Sequence, residues 1–200
     1  MDLKEVRYEA PLTQYLFTKA SQGKIPLSGT FELSPVCNFS CRMCYVRMTP
    51  AQVAAHSRPA MTLERWLTLA EQARASGMLY LLLTGGEPFL WPDFWPLYER
   101  LTEMGFILSI NTNGSLIDEA TIARLRARPP TRLNITLYGA GDDTYRSLCR
   151  ADGVVTRVDR AIMGLREAGL MVKLNCSLPP QNSGALEAMV RYAPQRGLIL

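Results

Sequence analysis

The sequence predicts an α/β fold on a parallel sheet, and three observations carry that expectation. Strand-length apolar runs alternate with helical patterns five times along the chain, as parallel strands joined by helical crossovers do. The run MLYLLL at 78–83 is apolar at every position, which suits a strand covered on both faces. The polar oddities fall just after strands, where such folds gather their functional groups.

Taken in order, Leu12, Tyr15, Leu16 and Lys19 have helical spacing and predict a helix over 8–22, with Gly23 closing it. A strand follows at 30–36. The stretch TPAQVAAHSRP is polar and bounded by prolines, so it reads as an exposed connection. Thr62 caps a helix with Leu63, Trp66, Leu67, Ala70 and Ala73 on one side, ending at Gly77. After the strand at 78–83 come a helix over 93–104 and a strand over 106–111. Asp118 caps a helix that runs to the Arg128-Pro129-Pro130 break. A strand over 132–138 leads to a short helix near 143–148 and a longer one over 154–168. Beyond Gly169 lie a strand at 170–176, a helix from a Ser183 cap to about 193, and the start of a strand at 197–200. A doubly wound sheet and a barrel both accommodate this order. A complete eight-unit barrel needs about 250 residues, so a barrel here is a partial one. The chain stops inside an apolar run, as a fragment would.

Two hundred residues suit one domain, and 48% hydrophobic with 20% charged residues is ordinary globular composition. The net charge of +4 arises without any block of like charge, which gives no grounds for a nucleic-acid partner. The N-terminus has acidic residues and no signal-peptide core, and no apolar run nears the roughly 20 residues that span a bilayer. The expectation is a cytoplasmic protein, where thiols stay reduced.

Cys37, Cys41 and Cys44 are spaced C-x3-C-x2-C directly after the first strand. Such a cluster is open to several readings: buried hydrophobes, a disulfide with a spare thiol, a Cys3His zinc site completed by His56, or an iron–sulfur anchor. Reducing conditions and the odd total of five cysteines weaken the disulfide. Three thiolates on a four-iron cluster leave one iron open to an outside ligand. The second strand is followed by Gly85-Gly86-Glu87-Pro88, where the glycines let backbone come close to a ligand. Asn113 follows the third strand, Tyr138 and Gly139 the fourth, and Asn175 ends the fifth. One shared pocket accounts for five polar strand ends.

The pair C-x3-C-x2-C and GGEP, each after its own strand, resembles the radical S-adenosylmethionine (radical SAM) superfamily, from about residue 29 to the end. Ile135-Thr136-Leu137-Tyr138-Gly139-Ala140 followed by Arg150 is similar to the peptide- and protein-modifying subgroup, which often carries a SPASM domain. The resemblance implies a partial (β/α)6 TIM-like barrel over 29–200 that ends in its sixth strand, preceded by a helical extension over 1–28. It implies that Cys37, Cys41 and Cys44 hold a [4Fe–4S] cluster whose fourth iron is chelated by S-adenosylmethionine. Gly85, Gly86, Glu87 and Pro88 would hold the methionine amino group, and Thr136 the ribose, with Asn113 and Asn175 beside it. Arg150 would pair with the methionine carboxylate. A 5′-deoxyadenosyl radical would then take hydrogen from a peptide or protein side chain, with flavodoxin or ferredoxin supplying the electron. Substrates of the RNA or small-molecule class are the alternative, and a non-catalytic zinc module is a further one. Met43 stands where the family often has an aromatic, and Thr136 where it often has serine. Cys149 and Cys176 read as small hydrophobes, His56 as a solvated loop residue, and Trp91, Phe94 and Trp95 as packing at a helix start. Tyr45 either covers the cluster or packs.

Overall fold

The computed structural model describes residues 11–56 and 60–198. Residues 8–10 of the first expected helix and the last two of the strand expected at 197–200 lie outside them. Helix α1 (Pro11–Gln22) precedes β1 (Ser28–Glu32), α2 (Pro50–Ala54), α3 (Leu63–Ala75) and β2 (Tyr80–Thr84). Then come α4 (Phe94–Glu103), β3 (Ile107–Thr112), α5 (Glu119–Ala127) and β4 (Arg132–Leu137). The short α6 (Asp142–Thr144), α7 (Val155–Glu167), β5 (Val172–Cys176) and α8 (Leu186–Gln195) complete the order.

The five strands form one sheet in the order β1-β2-β3-β4-β5, every neighbouring pair parallel. A doubly wound sheet reverses its order at a switch point; this one never does. Each crossover steps to the adjacent strand, which winds the sheet as part of a barrel.

The outward sheet face is the apolar one. Leu81 and Leu83, Leu108 and Ile110, Leu133 and Ile135, and Leu174 are all buried there, in one cluster with Leu97 and Leu101 of α4 and Ile162 and Leu165 of α7. The concave face is different. Thr30, Thr84, Ser109, Asn111, Asn134 and Thr136 line its hollows beside Leu82. A packed barrel interior is filled by bulky branched side chains; a polar interior is a place for a ligand. Tyr80 and Leu82 are accordingly half-buried, so β2 is covered on one face only, against the expectation from MLYLLL. At the bottom of the lumen Phe17 of α1 stacks on Tyr80 at 5.7 Å.

Other differences have local causes. β1 ends at Glu32 because Pro35 cannot donate to a ladder; Val36 meets Met48 in an isolated parallel bridge instead. The connection after the cysteines holds α2, started by a capping box between Thr49 and Gln52 with proline at its first turn. Ser183 does not cap the last helix. It sits in a 3₁₀ segment, Pro180–Ala185, its hydroxyl donating to the Pro180 carbonyl, and α8 starts at Leu186. The helix expected near 143–148 is α6 followed by a π turn, Tyr145–Cys149, that ends with Arg150 in the left-handed region at φ 51°. Gly197 and Leu198 are not in a strand.

Leu83 is fully buried between β1, β3 and the helical layer. Leu83→Ala is expected to cost about 2–5 kcal/mol, measured as a lowered urea midpoint at unchanged slope.

Candidate cofactor site

Two backbone segments meet above the sheet. The Leu33 N–H donates to the Thr84 carbonyl (2.9 Å), that of Gly86 to Ser34 (2.7 Å) and that of Glu87 to Val36 (2.9 Å). The loop after β2 is thereby zipped to the chain leading into Cys37. A side chain on Gly85 would stand 2.5 Å from the Ser34 carbonyl oxygen, and one on Gly86 closer still to that of Val36. Gly85 also has φ 140°, a conformation side chains rarely adopt. From sequence alone both glycines serve a ligand's approach. Their first requirement is the approach of the cysteine loop.

The far side of that loop is braced by the π turn. The Ser40 N–H donates to the Cys149 carbonyl (2.8 Å) and that of Arg42 to Leu148 (2.9 Å). Phe39 is buried with its ring edge-on to Tyr145. A polar knot fixes the third side. Asn113 donates to Asn38 Oδ1 (2.9 Å) and to Cys37 Sγ (3.8 Å), Asn38 donates to Ser115 Oγ, and Ser115 donates back to Asn113 Oδ1. Asn38 and Ser115 were not singled out from the sequence. The N-x-S turn at 113–115 carried the signal.

These elements enclose a cavity of about 620 Å³ lined by Cys37, Cys41, Met43 and Cys44 together with Gly85, Gly86, Asn113 and Thr136. Tyr45 is at its rim, 90% exposed. Of the other expected cofactor contacts, Glu87 and Pro88 lie behind this wall. The Glu87 carboxylate is fully buried and accepts from Thr112 Oγ1 (2.8 Å), Asn113 N (2.8 Å) and Phe89 N (3.3 Å). It ties β3 to the diglycine bend, and the backbone of Gly85 and Gly86 fronts the cavity. Asn175 pairs in register with Thr136 but is not among the lining residues, and Arg150 is exposed outside the cavity. His56 is exposed and does not line it either. Trp91, Phe94 and Trp95 pack at the start of α4.

The thiols are electrostatically unlike. Burial pushes Cys37 up to about 11. A hydrogen bond from the Cys149 thiol holds Cys41 below the usual thiol range against burial, with Tyr138 assisting, and Cys149 is raised in consequence. Cys149 thus packs against a candidate ligand, and Cys176 lies apart beside Met189. Burial pushes Glu87 up to about 7, opposed by its three donors.

A family model for the radical SAM superfamily matches residues 31–193. The chain belongs to the radical SAM superfamily. Among curated proteins it is similar to the AdoMet-dependent heme synthase of Methanosarcina barkeri, 25% identical, over 84% of this chain and 47% of that protein. The PqqA peptide cyclase of Granulibacter bethesdensis is 26% identical over 86% and 45%, and the GTP 3′,8-cyclase of Caulobacter vibrioides 32% over 80% and 46%. The chain therefore spans about half the length of the relatives it matches. In fold it is similar to Streptococcus suis SuiB bound to S-adenosylmethionine, with a TM-score of 0.73 at 19% identity over 94% of this chain and 43% of that one. The fold is that of the radical SAM (β/α) barrels.

The superfamily's cofactors are a [4Fe–4S] cluster and S-adenosylmethionine, and the donor set fits them. Three thiols, Cys37, Cys41 and Cys44, line one cavity together with the Gly85-Gly86 backbone, and thiolate is the donor that iron–sulfur clusters take.

Gly86→Ala is expected to destabilise the apoprotein by about 1–3 kcal/mol in urea unfolding, because backbone must move. A second expectation follows from Glu87, held near 7 when folded against an ordinary 4.5. The folded chain holds this proton more tightly, so the contribution is complete below about 4.5 and is lost as pH rises through about 7. Apoprotein stability should fall across that window by on the order of 1–3 kcal/mol, and Glu87→Gln should remove this slope.

Proposed function

We propose that the chain is the catalytic core of a radical SAM enzyme that acts on a peptide or protein side chain. One observation supports the core assignment above others: Cys37, Cys41 and Cys44 line the same cavity as Gly85, Gly86 and Thr136. In this reading the three cysteines ligate the cluster, and the Gly85-Gly86 backbone and Thr136 receive the nucleoside and amino-acid portions of S-adenosylmethionine. Glu87, Asn113, Asn38 and Ser115 hold the walls. Asn175 is a neighbouring ribose contact, and Arg150, exposed beside the π turn, is the cation assigned to the methionine carboxylate. When bound, the two groups supply reductive cleavage of the sulfonium and abstraction of a hydrogen atom from substrate. The protein's share is to orient both partners and keep water out; buried Phe39 and half-buried Met43 close the apolar side. The electron would come from a flavodoxin or ferredoxin.

The peptide class is supported by relatives named for such work, the PqqA peptide cyclase and the mycofactocin maturase of Mycobacterium ulcerans, 26% identical over 88% of this chain and 46% of that protein. GTP 3′,8-cyclases are relatives too, and a nucleotide substrate is the second reading. A triphosphate asks for Lys or Arg clamps. Among the described residues no such side chain lines the cavity, which favours the peptide.

The test is 5′-deoxyadenosine released by the anaerobically reconstituted full-length protein with dithionite, alone, with candidate peptides and with GTP. Cys41→Ala should lower release to background, and Cys176→Ala, which removes a thiol lying apart beside Met189, should leave it largely intact. Release from Cys41→Ala at the wild-type rate would defeat the ligand assignment.

A further inference from the structure

Glu32 is the last residue of β1, paired in register with Thr84 of β2, and both line the cavity that holds the three cysteines. Asn111 lines it as well, and its Oδ1 is taken by Asn134 Nδ2 at 2.8 Å, leaving its amide donor. Glu32 is exposed and, among the described residues, is the one Asp, Glu, Lys or Arg in that lining. Among the described residues its carboxylate has no ion-pair partner; the ion pairs found there lie elsewhere, on α4, α5, α6 and beyond. The strands' cationic side chains, Arg132 and Lys173, line other hollows.

The charge of the loaded cavity makes this carboxylate informative. A [4Fe–4S]2+ core held by three thiolates has one net negative charge, and S-adenosylmethionine chelated to iron through its neutral amine and its carboxylate has none. Such a cavity is net negative, the ions' own charge included, and offers nothing to offset a further carboxylate. Glu32 is then left uncompensated. A substrate that fills the cavity strips water from it, and an unpaired buried carboxylate costs several kcal/mol. An acceptor-only group at that place calls for a donor that brings positive charge.

We propose that Glu32 sets substrate specificity by receiving a cationic group, an ammonium or guanidinium, on the substrate side chain presented to the cofactors, with Thr84 and Asn111 flanking it. This inference rests on the peptide reading given above and narrows it to segments with a lysine or arginine at or beside the reacting residue.

The test uses full-length protein, reconstituted with iron and sulfide and saturated with S-adenosylmethionine. Nα-acetyl-lysinamide, Nα-acetyl-argininamide, Nα-acetyl-norleucinamide and GTP are titrated in by saturation-transfer NMR, and S-adenosylmethionine affinity is measured separately by equilibrium dialysis. A basic probe should bind at least ~10-fold tighter than norleucinamide or GTP. Glu32→Gln should erase that preference, and Glu32→Lys should disfavour the basic probes, with cofactor affinity unchanged in both. Equal or absent binding of all probes, preference for GTP, or loss of S-adenosylmethionine affinity in Glu32→Gln would overturn the proposal. Cofactor binding by the wild type reports separately on the reading beneath it.

Discussion

The close passage of two backbones, Gly85-Gly86 over Ser34 to Val36, is the constraint on which the site depends. It has no side chain in it. The N–H groups of Gly86 and Glu87 reach carbonyls that lead directly into Cys37, so the placement of the first thiol and of the bend that faces it are one event. Any Cβ at either glycine would drive the two loops apart. Glu87 extends the same constraint to the next strand: its buried carboxylate takes donors from Thr112 and Asn113, and Asn113 in turn reaches Cys37. A motif of four residues thus fastens three strand ends to one another.

The sheet explains why those ends face one cavity. Strictly sequential parallel pairing brings the carboxyl ends of β1 to β5 to the same rim, and the alternation of side chains along each strand separates two environments. Leucine and isoleucine go outward under the helices; threonine, serine and asparagine go inward. The polar interior weakens what would otherwise be a packed core, and the outward face offsets this with a continuous apolar cluster from Phe31 to Leu174. Stability and binding are served by opposite faces of the same strands.

Much of this was legible because it is local. Alternating periodicities, caps such as Thr62 and Asp118 and the cysteine spacing are all set within a few residues. What was not legible comes from distant partners. Nothing near Glu87 in the chain says that its carboxylate turns toward β3, and the π turn at Tyr145–Cys149 reflects packing under the cysteine loop. Arg150 was placed by motif alone, and its exposure could not be read from the letters. Glu32 had a signal that went unused: between Phe31 and Leu33, strand alternation already sends it to the opposite face from both.

The central claim, that three thiols on one cavity wall leave a single metal corner for an outside ligand, is tested most directly by Mössbauer spectroscopy of the 57Fe-reconstituted full-length protein. A four-iron cluster with one iron distinct from three, whose signal alone shifts when S-adenosylmethionine is added, is the expected result. Four equivalent irons unmoved by S-adenosylmethionine, or a colourless protein with one zinc, would contradict it.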